Sequence, residues 1–185
     1  MPKLMVFNSM SLDGFIADSQ GDMSWAHKQD DEWNSFVAGN ASGRGVLLFG
    51  RKTYDMMAGY WPTPVAAQTS PVVAKRMNEL QKMVFSRTME KALWQNSTLL
   101  RGDPAEEVKG LKQQPGPDLV ILGSASIVAQ LSAARLIDEY QITLSPVLLG
   151  EGKSMFAQIG ERLALKLAST RSFRNGNLFL IYHPA

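Results

Sequence analysis

The sequence predicts an α/β domain with a mostly parallel central sheet, helices on both of its faces and a C-terminal antiparallel hairpin. Short apolar runs of strand length alternate with segments of helical period along most of the chain. Several of these runs pass directly into a helix, which is typical of parallel strands joined by crossover connections. The chain closes with two β segments around Asn175-Gly176, which is a strong hairpin signal.

The first part of the chain predicts strand, loop, helix and strand. Residues 3–9 form an apolar run with the length of a buried strand. Residues 10–27 show no periodicity, and a structureless loop of this length inside a compact domain tends to be functional. Apolar residues at helical spacing predict a helix over 30–41, and residues 45–49 predict a second buried strand.

The middle of the chain predicts two helices followed by two strands. A short helix over 53–57 follows the second strand at once, and the Trp-Pro-Thr-Pro run at 61–64 ends it. Ser70 is expected to cap the next helix, because a proline follows it at the first helical position. Residues 81–86 and 96–100 predict the third and fourth strands.

The remaining elements continue the alternation. Asp103 caps a helix that runs to about residue 113, and 118–122 is a fifth strand. A helix over 127–134 and an alternating strand over 137–144 follow. The final strands cover 163–173 and 178–183. Because the chain has no internal repeat and no linker-like segment, residues 1–185 are predicted to form one domain.

The composition excludes several classes of function. The net charge is +2, from 19 basic and 17 acidic residues, and the basic residues are scattered, so no nucleic-acid footprint is expected. The absence of cysteine excludes disulfides, thiolate nucleophiles and cysteine-based metal sites, and with two histidines no metal site is expected. No targeting or membrane-spanning segment is visible, so we expect a soluble cytoplasmic protein.

Two strand-to-helix turns carry the chemistry that the sequence suggests. Gly50-Arg51-Lys52-Thr53 brings a glycine, two cations and a hydroxyl to a helix start, where free N–H groups favour a phosphate. Gly123-Ser124-Ala125-Ser126 offers small residues through which backbone amides reach a pyrophosphate. Ordinary helix capping, by Ser124 in the second turn, is the alternative for each. Both turns follow predicted parallel strands, whose carboxyl ends bind ligands in open α/β sheets.

Other candidates are less specific. Ser86-Arg87-Thr88 ends the third strand, and Arg87 is either a phosphate donor or an exposed loop arginine. Trp25 and Trp61 suit stacking on a flat heterocycle or simple loop packing. A hydrolase would need a nucleophile and base, and the sequence lacks the G-x-S-x-G and H-E-x-x-H motifs of hydrolases.

The combination resembles the dihydrofolate reductase fold, and more closely the reductase domain of the bifunctional riboflavin-biosynthesis deaminase-reductase and its stand-alone relatives. The resemblance covers essentially the whole chain in order. Its motifs are Met10-Ser11-Leu12-Asp13-Gly14, Phe49-Gly50-Arg51-Lys52-Thr53-Tyr54, Gly123-Ser124-Ala125, Leu136-Ile137-Asp138-Glu139-Tyr140 and Ser145-Pro146-Val147-Leu148-Leu149-Gly150-Glu151-Gly152.

The resemblance implies a reductase that uses NADPH. Gly50, Arg51, Lys52 and Thr53 match the element that holds the cofactor phosphates, and Arg51 would meet the adenosine 2′-phosphate. In this family Ser86 and Arg87 would lie nearby, and the backbone beside the nicotinamide would be that of Ser9, Ile16 and Ala17. Gly123, Ser124, Ala125 and Ser126 match the glycine-rich pyrophosphate turn, with Ser and Ala where dihydrofolate reductases have further glycines.

On the substrate side, the resemblance points to Trp25 and Asp30, which have the spacing of the tryptophan and the pterin-binding acid of dihydrofolate reductases. Asp30 is the first catalytic candidate and Asp13 the second. The implied reaction is hydride transfer to a C=N or C=O of a small flat heterocycle, like the pteridines or the aminopyrimidinedione of riboflavin biosynthesis. The alternative is a nucleotide-binding module without turnover. A homodimer is expected, because the apolar C-terminal edge strand needs cover.

Overall fold

A computed structural model describes residues 1–27, 30–41 and 45–185. The strands are β1 (Leu4–Ser11), β2 (Phe15–Ala17), β3 (Gly45–Gly50), β4 (Gln81–Phe85), β5 (Ser97–Leu100), β6 (Asp118–Leu122), β7 (Glu139–Ser145), β8 (Lys153–Ser154), β9 (Leu165–Ser172) and β10 (Leu178–Pro184). The helices are α1 (Asp31–Ala41), α2 (Arg51–Tyr60), α3 (Pro64–Thr69), α4 (Pro71–Glu79), α5 (Pro104–Gln113) and α6 (Ala125–Ala133).

Eight strands form one sheet in the order β5-β4-β3-β6-β1-β7-β10-β9. The pairs from β5 to β7 are parallel, and β10 joins β7 and β9 antiparallel. This confirms the predicted fold class. Strands β2 and β8 form a separate two-stranded ribbon. None of the helices in the described ranges is long and apolar enough to cross a bilayer.

Alternation along the strands supplies a core to each face of the sheet. In β3, Val46 and Leu48 pack with residues of α5 and α6, whereas Leu47 and Phe49 pack with residues of α2 and α4. A third, aromatic cluster joins Trp33 of α1 to the antiparallel half of the sheet. Helices therefore cover both faces, as the alternating pattern predicted.

The strand order reverses between β3 and β6. From β3 the chain moves outward to β4, and from β6 it moves in the other direction, past β1 to β7. The helices that follow these two strands, α2 and α6, pack on opposite faces of the sheet. Such a switch point leaves a crevice at the carboxyl ends of the strands, where open α/β sheets bind ligands.

The structure corrects three expectations about single elements. Helix α2 covers Arg51–Tyr60 instead of 53–57, because no proline interrupts it before Pro62. Helix α3 was not predicted, although Thr63 caps it and a proline occupies its first position. Residues 10–27 are not wholly a loop, since they contain the end of β1, the whole of β2 and a 3-10 turn at Ser24–Ala26.

Candidate functional site

The turns after β3 and β6 are joined by two hydrogen bonds. The Gly50 N–H donates to Ser124 Oγ at 2.8 Å, and the Ser124 N–H donates to Thr53 Oγ1 at 3.1 Å. Ser124 and Thr53 are both buried. The side chain of each residue therefore serves the other turn, and Ser124 does not cap its own helix. This decides against the sequence-based alternative in which Ser124 is an ordinary cap.

The two helices that begin at these turns lack side-chain caps. Neither α2 nor α6 has a side-chain hydrogen bond at its N-terminus among the described residues, whereas Asp30, Thr63 and Asp103 cap α1, α3 and α5. Helix α4, which follows α3 directly, also lacks one: Ser70 stands at its N-cap position as predicted, but its hydroxyl makes no cap hydrogen bond. The first N–H groups of a helix have no partner within the helix and carry the positive end of its dipole. Two such N-termini on adjacent strands can bind a doubly charged group such as a pyrophosphate.

Gly123 gives the second turn its shape. Its φ is +63°, and an added Cβ would lie 2.8 Å from Thr53 Cγ2. Ser124 follows with φ +56°, so two consecutive residues are left-handed. Only glycine fits the first position without displacing Thr53. The turn therefore keeps its left-handed form although serine and alanine occupy the positions of further glycines in dihydrofolate reductases.

Asn8 contacts the same turn and was missed in the sequence. Its Nδ2 donates to the Gly123 carbonyl at 3.2 Å, and the Gly123 N–H donates to its Oδ1 at 2.5 Å. The available signal was a polar residue on the inward face of an apolar strand, after Leu4 and Val6.

Arg51 faces the loop that follows β4. Its Nη1 donates to Thr88 Oγ1 at 2.6 Å, while its Nε lies 3.5 Å from an Asp55 carboxylate oxygen. Half of the Arg51 side chain is exposed. The Ser86 hydroxyl accepts the N–H groups of Thr88 and Met89, so the loop has a fixed form. The structure thus brings Arg51 beside the Ser86-Arg87-Thr88 segment.

Arg101, after β5, supports this loop from the other side. Its guanidinium donates to the carbonyl oxygens of Arg87 at 3.3 Å, Met89 at 3.0 Å and Glu90 at 3.3 Å. No local pattern in the sequence pointed to Arg101, because its partners lie 11 to 14 positions earlier in the chain. The guanidinium groups of Arg51 and Arg101 therefore both contact this loop, which itself carries Arg87, and such a group of cations would attract a phosphate.

The remaining cofactor candidates divide into an exposed and a buried group. Lys52 and Ser126 are exposed in the first turns of α2 and α6, and Ala125 is buried beside Ser126. Ile16 and Ala17 are buried in β2. Ser9 lies near the end of β1, where it pairs with Thr143 of β7.

A close backbone approach fixes the ribbon that carries Ile16 and Ala17. A Cβ on Gly152 would lie 2.3 Å from the Ala17 carbonyl oxygen, so only glycine allows β8 to pair with β2. The segment after β1 is therefore held against residues more than 130 positions later in the chain.

Asp13 ties the same segment to the loop after β7. Its carboxylate accepts the Ser11 hydroxyl at 2.6 Å, the Leu149 N–H at 3.0 Å and the Gly150 N–H at 2.8 Å. The hydrogen bond from Ser11, with further ones from Gly150 and Leu149, lowers the pKa of Asp13. The carboxylate is thus ionised and engaged with two loops.

Trp25 and Asp30 serve separate local structures. The Trp25 indole donates to the Asp22 carbonyl at 3.2 Å, within its own loop. Asp30 Oδ1 accepts the Trp33 N–H at 2.8 Å, which is the geometry of a helix cap. Within the described residues no hydrogen bond or ring contact joins Trp25 to Asp30. No residue in the described ranges donates a hydrogen bond to Asp30 Oδ2, whereas Oδ1 accepts the one from Trp33.

Two shallow depressions lie away from these turns. One, of about 330 Å³, lies on α5, and the other, of about 320 Å³, lies beside the end of α6. In the described part of the chain, no three His, Asp or Glu residues gather as metal ligands would.

Solved structures share this fold. A Shewanella sp. PV-4 protein, described as a candidate riboflavin biosynthesis protein, superposes with a TM-score of 0.79 at 22% identity, covering 99% of both chains. A Thermotoga maritima diaminohydroxyphosphoribosylaminopyrimidine deaminase/5-amino-6-(5-phosphoribosylamino)uracil reductase gives 0.70 at 15% identity, over 100% of this chain and 57% of that one. Enterococcus faecalis dihydrofolate reductase complexed with NADP(H) gives 0.65 at 15% identity, over 98% and 96%. At these identities the structures show a common fold, which is that of dihydrofolate reductase.

Sequence comparisons identify the family. The uncharacterized protein YyaP of Bacillus subtilis (strain 168) is 32% identical over 179 residues, which are 95% of this chain and 91% of YyaP. The family model described as the RibD C-terminal domain matches residues 2–179. The reductase-type fold and this match over nearly the whole chain support an oxidoreductase, and the chain belongs to the RibD C-terminal domain family.

Proposed function

We propose that this protein is an NADPH-dependent reductase that transfers hydride to a C=N or C=O of a small flat heterocycle. The observation that carries the proposal is the junction of the turns after β3 and β6. There two helices without side-chain caps begin side by side, and Gly50, Thr53 and Ser124 hold them together. Such a junction suits the pyrophosphate of a dinucleotide.

The 2′-phosphate of NADPH would bind beside α2. Arg51 is half exposed and lies against the Ser86-Arg87-Thr88 segment, and Arg101 holds that segment in place. A charge-assisted hydrogen bond to a phosphate stabilises binding by about 1.5–3 kcal/mol. Arg51 and Arg87 are therefore assigned to selection of NADPH over NADH.

The nicotinamide would lie against the backbone of Ser9, Ile16 and Ala17. When bound, the cofactor supplies the hydride. The contribution of this chain is to orient the two reactants and to exclude water. The β2–β8 ribbon, whose position is fixed, would contribute to both tasks.

Asp30 is assigned to the substrate because its Oδ1 caps α1 while its Oδ2 accepts no hydrogen bond from the described residues. Oδ2 can anchor the N–H edge of a heterocycle or relay a proton. Asp13 is a weaker candidate, since both of its oxygens accept hydrogen bonds that hold loops. Trp25 would contribute a stacking surface, as its ring is partly exposed.

Two solved structures with this fold support the class of chemistry. One is named as a 5-amino-6-(5-phosphoribosylamino)uracil reductase, and the other, dihydrofolate reductase, is complexed with NADP(H). Pteridines and aminopyrimidinediones are therefore the first substrates to test.

A titration followed by a substrate panel tests the proposal. We expect NADPH to quench tryptophan fluorescence and to bind at least tenfold more tightly than NADH. NADPH oxidation should then appear with at least one pteridine or aminopyrimidinedione. Binding without oxidation across the panel would favour a nucleotide-binding module without turnover. Absence of NADPH binding would refute both functions.

A homodimer is the expected assembly. All eight residues of the edge strand β9 are exposed, among them Leu165 and Leu167, and within the described part of the chain β10 is the one strand that pairs with it. Long exposed edge strands are usually covered. Light scattering is expected to give about twice the chain mass of 20.4 kDa, whereas the chain mass at every working concentration would exclude the dimer.

A further inference from the structure

We infer that Asn8 is a positioning residue of the cofactor site: its side chain holds the Gly123 turn in the conformation that presents the N-terminus of α6 to the pyrophosphate. The inference rests on the proposed function, since it concerns the same cofactor. Asn8 is 5% exposed, so it does not act as a surface contact.

The position of Asn8 in the sheet explains why an amide is needed there. The parallel ladder between β1 and β6 ends at the pair of Phe7 and Leu122. One residue further, Gly123 turns away with φ +63°, so its backbone groups leave the ladder. The Asn8 amide replaces the ladder at this point, because it accepts from the Gly123 N–H and donates to the Gly123 carbonyl.

A chain of hydrogen bonds continues from Gly123 to the other helix. The next residue, Ser124, donates its N–H to Thr53 Oγ1 and accepts the Gly50 N–H at its Oγ. Asn8 is therefore the first member of a hydrogen-bond network that connects β1 to the turn before α6 and, through it, to the turn before α2. Without the amide, two backbone groups of Gly123 would lose their partners, and the turn would have to move to find others.

The side chain of Asn8 is fixed by a third contact. Its Nδ2 also lies 3.3 Å from the sulfur of Met155, which is completely buried. Sulfur is a weak acceptor, so this contact adds orientation more than energy. An asparagine at this position can hydrogen-bond both the N–H and the carbonyl of Gly123. Leucine has no hydrogen-bonding group, and serine has one hydroxyl on a shorter side chain.

The experiment compares two ligands on the purified protein with an Asn8→Leu substitution. NADPH spans the pyrophosphate turn, whereas adenosine 2′-monophosphate carries the 2′-phosphate but no pyrophosphate. We expect Asn8→Leu to weaken NADPH binding at least tenfold and to leave the affinity for adenosine 2′-monophosphate within twofold. A merely structural role would not separate the two ligands.

Asn78→Ala is the matched control. The Asn78 amide also bridges several elements, since it donates to the Trp61 and Ala74 carbonyls and accepts the Trp94 indole N–H. Asn78 lies at the end of α4, just before β4 starts, and thus near the amino end of that strand, whereas the proposed cofactor site lies at the carboxyl ends. We expect Asn78→Ala to lower the melting temperature and to change the affinities for NADPH and adenosine 2′-monophosphate by the same factor, if at all.

Each outcome decides the inference. Equal weakening of both ligands, or no weakening, in a folded Asn8→Leu protein would overturn it while the proposed function stands. If that variant does not fold, Asn8→Ser takes its place, and failure of both to fold would assign Asn8 to stability alone. A wild-type protein that does not bind NADPH would instead remove the proposed function, and the inference with it.

Discussion

The two ends of the strands in the central sheet use their polar groups in opposite ways, and we call them the amino edge and the carboxyl edge. At the amino ends of the strands, charged groups bind the backbone and one another: Asp138 accepts the Leu4 N–H and is ion-paired with Lys112, and the buried Lys82 donates to three carbonyl oxygens. At the carboxyl ends, side chains bind one another's turns and leave two helix N-termini uncapped by side chains. Stability should therefore depend on the first edge and ligand binding on the second.

The comparison also separates the two halves of the carboxyl edge. On the cofactor side the proposed ligand groups are backbone N–H groups at two helix N-termini that no described side chain caps, together with Arg51 and Arg87. On the substrate side the two candidate carboxylates already have structural partners, in Trp33 for Asp30 and in Leu149 and Gly150 for Asp13. A site of this kind contributes mainly by orienting reactants, so few side chains should affect turnover strongly.

The largest effect is expected for Asp30→Asn. Asparagine caps a helix about as well as aspartate, so the melting temperature and NADPH affinity should hardly change. If Oδ2 anchors the substrate or relays a proton, turnover should fall about 100-fold. The measurements are thermal melting and NADPH oxidation on the substrate that the wild type reduces. Asp31→Asn, on the exposed first residue of α1, is the control. Retained activity in a folded Asp30→Asn protein would reduce Asp30 to a cap.

Gly123→Ala would break the division between the edges, because this turn contributes to both stability and binding. Its φ of +63° and the 2.8 Å approach to Thr53 Cγ2 force either the turn or α2 to shift. We expect the free energy of unfolding to fall by about 1–2 kcal/mol and NADPH binding to weaken.

Gly110→Ala in α5 is the control for that substitution. A Cβ there would meet no atom within 4 Å and the backbone is helical, so alanine should stabilise slightly. Denaturant unfolding of both variants, with NADPH titration, checks the pair. A Gly123→Ala protein as stable as the wild type would mean that the turn can adopt another conformation.

Arg51→Ala should affect one ligand and not the other. Loss of a charge-assisted contact to the 2′-phosphate should weaken NADPH binding about tenfold, or ~1.4 kcal/mol, and leave NADH binding unchanged. Lys75→Ala is a matched control, because Lys75 also forms an exposed i,i+4 ion pair, with Glu79 on α4. Fluorescence titration of both cofactors gives the ratio. If Arg51→Ala keeps the wild-type preference, the 2′-phosphate is bound elsewhere.

The sequence predicted those parts of the fold that depend on local patterns. The strand-to-helix turns at Gly50 and Gly123 were visible because each follows an apolar run and precedes a helix. The ribbon of β2 and β8 was not visible, because strands of three and two residues exist only through pairing with a segment some 138 positions away. The same distance effect hid Asn8, whose partner Gly123 lies 115 residues later.

The candidate site was predictable to the same extent. The family resemblance placed Ser86 and Arg87 near Arg51, and in the structure β3 and β4 are parallel neighbours and Arg51 contacts Thr88 of the same segment. The roles of the acidic residues could not be separated, because Asp13 and Asp30 both lie beside turns where a carboxylate suits hydrogen bonding. Only the three-dimensional partners showed that Asp13 holds two loops while Asp30, among the described residues, accepts a hydrogen bond at one oxygen alone.

The smallest expected effect concerns Lys82 and tests the amino edge. Burial lowers the pKa of Lys82 to about 8, from 10.5 in an unfolded chain. Between these values the unfolded chain binds more protons than the folded one, so the contribution of Lys82 to stability rises with pH. The free energy of unfolding of the wild type, minus that of Lys82→Met, should increase by about 1 kcal/mol from pH 7 to pH 9. Denaturant unfolding at both pH values measures this difference, and other titrating groups cancel in the subtraction.

This pH window also lies below the range in which Tyr140, whose pKa is raised by burial, would add its own effect. A difference that does not change with pH would show that the ammonium stays charged, held by the carbonyls of Asn78, Leu80 and Gln95 and by the Trp94 ring 4.3 Å away. NADPH affinity should be the same in both proteins, because the amino edge does not contact the proposed cofactor site.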